Sequence, residues 1–147
     1  MKTGFLACAA LAMTIAGAQA APQRDEKVYA AVAANRAGAL DLLKQIVNID
    51  SGTGDVAGGA KVAAILRDRL KALGAAVRTE KSEVPDLPDN LVAVFHGTGK
   101  GKTLIVAHFD TVFGPGTVAG RPFSIDGTRA HGPGVGDEKA GDVNAVT

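Results

Sequence analysis

The chain has 147 residues, 46% hydrophobic and 21% charged, with a formal net charge of +1 and no tryptophan. That is about one domain with enough apolar content for a packed core, which argues against a disordered chain. Near-neutral charge and 4% aromatic residues offer neither the basic face nor the stacking platforms of a nucleic-acid binder, so no nucleic-acid partner is expected.

Lys2, the apolar run from Gly4 to Ala16 and the small residues Ala18-Gln19-Ala20 read as a signal peptide over residues 1–20. The run is shorter than the ~20 residues that span a bilayer, so a periplasmic or secreted location is expected, with no membrane attachment after cleavage. Cys8, the one cysteine, leaves with the signal, and no disulfide is expected. It sits too near the start, after too short an apolar run, for a lipoprotein signal.

Residues 21–27 read as a polar linker and 28–47 as a helix with Leu40, Leu43 and Val47 on one stripe. A glycine-rich break over 51–59 precedes a second amphipathic helix carrying Val62, Ile65, Leu66, Leu70 and Leu73, closed by Gly74 as a left-handed cap. Strands are predicted at 76–79, 91–95 and 103–107. The last, TLIVA, is apolar without alternation, as in a strand covered on both faces. Asp126-Gly127 predicts a hairpin between 123–125 and 129–131. Residues 132–136 form a loop, and 142–147 start a helix. Helices before and after a buried sheet make the class α/β.

Two stretches imitate phosphate loops. HGTGKGKT over 96–103 lacks the first glycine of the pattern and leads into a strand, whereas an anion-binding loop must open a helix. Gly52-Thr53-Gly54 follows a helix instead of a strand, so it is a weak dinucleotide signal.

The chemistry concentrates in AHFDTV and HGPGVGDEKAG. Residues two apart in an extended segment point the same way, so His108 and Asp110 project together from a strand end. A neutral imidazole is a zinc donor, and a nearby carboxylate can accept its other ring N–H. His108 is therefore cast as a metal ligand and Asp110 as the carboxylate that orients it, although the pair taken alone is more often a mere capped strand end. Asp137 offers two oxygens able to bridge two cations, in a loop where Gly132, Gly134 and Gly136 permit tight turns. Taken singly it reads as a turn residue, and Glu138 and Lys139 as solvated charges.

Together AHFDTV, Pro122-Phe123, Asp126-Gly127 and HGPGVGDEKAG resemble the di-zinc exopeptidase family of glutamate carboxypeptidase, aminoacylase, acetylornithine deacetylase and succinyl-diaminopimelate desuccinylase. VNIDSGTGD over 47–55 and the signal peptide resemble the exported glutamate carboxypeptidase branch, of the carboxypeptidase-G type. The resemblance implies a zinc-exopeptidase catalytic domain with a mostly parallel central sheet flanked by helices, of which 28–147 is the N-terminal part. It implies two zinc ions, and a peptide or N-acyl amino acid as substrate. A dimerisation domain absent from this chain would make a homodimer only of a full-length form. By position, His108 and Asp137 match metal ligands, Asp137 the bridging one. Asp110 matches the catalytic-site carboxylate that supports the histidine, and Asp137-Glu138 matches a cis peptide bond. His96 and His131 match no ligand. Ala140 stands where the family has glycine, and Asp142-Val143 looks like an insertion. The general-base glutamate, the other ligands and the dimerisation domain would lie beyond Thr147, so the chain alone is expected to be inactive: two ligands do not complete a usual catalytic zinc site.

Overall fold

In a computed structural model, which describes residues 23–147, the chain enters its first helix at Asp25. The Asp25 carboxylate accepts from the Lys27 and Val28 amides at 2.9 and 3.2 Å, satisfying donors that a helix start leaves without partners. Helix α1 then runs Glu26–Val47, beginning inside the predicted linker. Residues 1–20, the expected signal peptide, lie outside the described residues. Among those described, no helix is long and apolar enough to cross a membrane.

Only the C-terminal half of α1 is packed. Leu42, Leu43, Ile46 and Val47 are buried, whereas Val28, Tyr29 and Val32 are exposed. The buried stripe meets Val62 and Leu66 of α2 (Val56–Ala72) and Val143 and Val146 at the end of the chain, forming one core. Asp55 caps α2 by accepting from the Gly58 amide at 2.8 Å, and Gly74, at φ 90°, follows its C-terminal end in the left-handed conformation expected.

Four of the strand segments expected from the sequence pair as two antiparallel hairpins. β1 (Ala76–Glu80) pairs with β2 (Asn90–Val94), Arg78 opposite Val92. β3 (Ser124–Asp126) pairs with β4 (Arg129–His131) around Gly127 at φ 57°. A four-residue helix, α3 (Thr117–Gly120), precedes the second hairpin. A kinked turn over Val135–Lys139, in which Asp137 and Glu138 leave helical φ/ψ, leads into α4 (Ala140–Ala145).

The architecture is thus mixed helix and strand, compatible with α/β, but the expected strand 103–107 pairs with nothing among the described residues. Leu104, Ile105 and Val106 are 84%, 67% and 79% exposed. No described element lies beside them to accept their backbone bonds or cover their side chains, and no mostly parallel sheet forms among the described residues. The single parallel contact there is the bridge between Gly52 and Thr111. That bridge is what places the end of 103–111 against the core.

Candidate metal centre

Residues 51–53 and 109–111 are joined side by side. The Thr111 amide donates to the Ser51 carbonyl at 2.8 Å, and the Thr53 amide to the Thr111 carbonyl at 2.9 Å. The buried Ser51 hydroxyl donates to the Phe109 carbonyl at 3.0 Å. Gly52 has no room for a side chain because the Phe113 carbonyl lies where a Cβ would stand. On the other side, Gly134, at φ 71°, approaches the Thr111 methyl, and Gly132 approaches Val47. These glycines let the loop 132–136 close against both the bridge and α1, delivering Asp137 to the end of the 103–111 segment.

The result is a convergence on one imidazole. His108 Nδ1 lies 3.1 Å from Asp110 Oδ1 and 3.2 Å from the Asp110 carbonyl. Its Nε2 faces Asp137 Oδ1 at 3.3 Å and Glu138 Oε2 at 3.8 Å. His108, Asp137 and Glu138 each offer a ligand atom within 4.8 Å of the others. The sequence-predicted residues His108, Asp110 and Asp137 are therefore brought together, and the Asp137-Glu138 peptide bond is cis. His96 and His131 stay outside the cluster, both exposed.

One imidazole nitrogen with two carboxylates is a donor set suited to zinc. With Asp110 against Nδ1, Nε2 faces the two acidic groups, whose like charges repel one another; a cation between them would satisfy all three. Burial pushes the His108 pKa down, but the Asp110 carbonyl and carboxylate, with Glu138 behind them, outweigh it and raise the pKa above its usual value. A divalent ion would take the place of that proton.

Glu138 and Lys139 depart most from the sequence reading. Glu138 turns into the cluster, its side chain filling the space where Gly141 lacks a Cβ. Lys139 is fully buried, and its Nζ donates to the carbonyls of Ile46 and Ile49 at 2.8 and 2.9 Å. Burial pulls that ammonium down to about 8, against the opposing pull of Asp50 and Asp142. Asp142 is also buried, one of its oxygens has no hydrogen-bond partner, and burial, reinforced by Glu138, pushes it up to about 7. Nothing in the sequence marks either residue as internal.

A surface depression of about 520 Å³ between the β3–β4 hairpin and α3 is lined by Arg121, Ser124, His131, Gly132 and others, but by none of the cluster residues. The convergence of donors, not that hollow, locates the chemistry.

No family model matches the chain. It is 37% identical over 145 residues to carboxypeptidase G2 of Pseudomonas sp. (strain RS-16), a match covering 99% of this chain and 34% of that protein. The chain thus spans about a third of the relative's length. Over nearly its whole length, the chain is thus similar to part of a carboxypeptidase of the G type.

Proposed function

We propose that this chain supplies part of the metal cradle of an exported zinc-dependent carboxypeptidase, one that hydrolyses a C-terminal amide bond and releases an amino acid such as glutamate. The observation that carries the reading is the His108 ring, engaged through Nδ1 by Asp110 and facing Asp137 and Glu138 through Nε2. His108 and Asp137 are the proposed metal ligands, Glu138 joins them as a third donor, and Asp110 orients the histidine. Zinc in such a cradle supplies Lewis acidity toward a scissile carbonyl and toward water. The chain's own part is to place and orient the donors.

A mostly parallel sheet belongs to the same proposal, supported by the Gly52–Thr111 bridge and by the exposed apolar run at Leu104, Ile105 and Val106. So does export, supported by residues 1–20 alone. Hydrolysis by these 147 residues is not expected. The Asp137 side chain is 85% exposed and that of His108 51%, so the donors are not enclosed in a cleft that could hold a substrate over them.

Zinc titration of the purified chain against a chromophoric chelator tests the cradle. Binding should be stoichiometric and weaken at least about tenfold in His108→Ala; equal affinity in the two proteins sinks the reading. For the activity, residues 23–147 exchanged for the matching third of carboxypeptidase G2 should yield a chimera that releases a C-terminal amino acid and loses this on His108→Ala. Preference for N-acyl amino acids over peptides would instead favour a deacylase of the same family.

A further inference from the structure

The glycine-rich stretch SGTGD, residues 51–55, carries a side chain that reaches the cluster. Thr53 Oγ1 lies 2.6 Å from Asp110 Oδ2 and 3.3 Å from the Thr111 carbonyl. A hydroxyl has one proton, and the shorter, charge-assisted contact takes it. Asp110 is therefore held at both oxygens, with Thr53 on Oδ2 and His108 on Oδ1.

The backbone beneath Thr53 has little freedom. Its amide donates to Thr111, Gly52 bridges to Thr111, and Ser51 donates to Phe109. These contacts fix Thr53 relative to Asp110 from the neighbouring chain segment. A carboxylate anchored only through its own Cβ would rotate about its side-chain torsions, and the imidazole bonded to it would turn as well.

We propose that Thr53 is a positioning residue for the metal centre: its hydroxyl fixes the Asp110 carboxylate in the orientation that holds His108 by Nδ1 and leaves Nε2 for the cation. This rests on the metal reading above. The sequence of contacts is Thr53 to Asp110, Asp110 to His108, and His108 to the ion shared with Asp137. Removing the first leaves every proposed ligand in place and loosens their aim.

The test uses two readouts on the full chain. Long-range 1H–15N NMR of the metal-free protein, at about two pH units above the usual histidine pKa, reports which ring nitrogen of His108 carries the proton. Zinc competition reports affinity. Wild type should be protonated at Nδ1. Thr53→Val should show a mixture of the two tautomers and a zinc dissociation constant raised about tenfold, whereas Thr53→Ser, which keeps the hydroxyl, should restore both to near wild type. Should Thr53→Val fail to fold by circular dichroism, Thr53→Ala carries the same expectations. A wild-type tautomer or a wild-type zinc constant in the hydroxyl-free variant overturns the proposal, as does Thr53→Ser behaving like Thr53→Val. His108→Ala separates the two ideas. Zinc affinity unchanged in His108→Ala removes the metal reading itself, whereas affinity lost there but kept in Thr53→Val removes only the role of Thr53.

Discussion

Replacing glycine by alanine should have opposite effects in the two long helices. In α1, a Cβ at Gly38 meets nothing within 4 Å. Alanine there gains helix propensity and restricts the unfolded chain, so Gly38→Ala should stabilise the protein by about 0.5–1 kcal/mol. In the first turn of α2, a Cβ at Gly58 would meet Asp55 Oδ2 at 2.6 Å and the Asp50 carbonyl carbon at 2.9 Å, with the Asp50 carbonyl oxygen closer still. Two of those obstacles are backbone and cannot rotate away. Overpacking of that kind costs about 1–3 kcal/mol. Moving the helix to relieve it breaks the Gly58 amide bond to the Asp55 cap, about another 1 kcal/mol. After the propensity gain is subtracted, Gly58→Ala should destabilise by about 1–3 kcal/mol. The displacement would also reach Asp50, whose carboxylate accepts from the Gly116 and Val118 amides at 2.8 and 3.0 Å. Urea denaturation followed by circular dichroism measures both changes; with slopes of about 1–3 kcal/mol per molar, the Gly38→Ala midpoint should rise by about 0.2–1 M and the Gly58→Ala midpoint fall by about 0.3–3 M. A Gly58→Ala midpoint equal to or above wild type would refute the close approach of α2 to the 50–55 turn.

The remaining expectations concern charge and the loop that presents Asp137. Asp142 is near 7 in the folded protein against 3.8 for an ordinary aspartate. Folding therefore takes up a proton between those values, and the stability it contributes is full below about pH 4 and lost as pH rises through 7. In the presence of a chelator, Asp142→Asn should remove most of that dependence and gain on the order of 1–2 kcal/mol relative to wild type between pH 4 and 8, solvent screening and the neighbouring charges reducing the full effect; urea midpoints showing no change in the wild-type-to-variant difference across that range would refute it. Gly134→Ala places a Cβ against the Thr111 methyl at a left-handed φ of 71°. It should cost about 1–3 kcal/mol and weaken zinc binding by moving the loop. Gly136→Ala, where a Cβ meets nothing within 4 Å and φ is not positive, should change stability by no more than about 0.5 kcal/mol. Thermal melts and zinc titrations on the pair check the contrast, and equal behaviour would count against a docked loop.

The parts of the fold that are local were readable from the residues. The Asp-Gly turn marked the second hairpin because its φ requirement is met by glycine at one position, and the 62–73 helix showed its period over several turns. The α1 stripe was read less well. Leu42 and Ile46 complete the buried face beside Leu43 and Val47, while Leu40 is only half-buried, because the facing elements are α2 and the far end of the chain, which the period of one helix cannot reveal. The run at 103–107 has the composition of a buried strand, yet burial and pairing are properties of neighbours. Among the described residues it has none.

The candidate site divides along the same line. His108 with Asp110 is a two-residue spacing in an extended segment, so their common direction follows from the pleat alone. Their meeting with Asp137 depends on glycines that let the loop approach Thr111 and Val47, and these glycines were visible as a pattern. Thr53 and Lys139 were not, because each acts through a contact distant in sequence. Lys139 shows why a charge next to a metal loop can be misread. The carbonyls of Ile46, in the last turn of α1, and of Ile49, just past its C-cap Asn48, both face inward, and the last acceptors of a helix have bonding capacity that its own ladder does not use. A buried ammonium satisfies both of them and suits the negative end of the helix dipole. The residue two positions after Asp137 is thereby tied to the core, and the two carboxylates preceding it are held beside His108 by an attachment that involves none of the cluster residues.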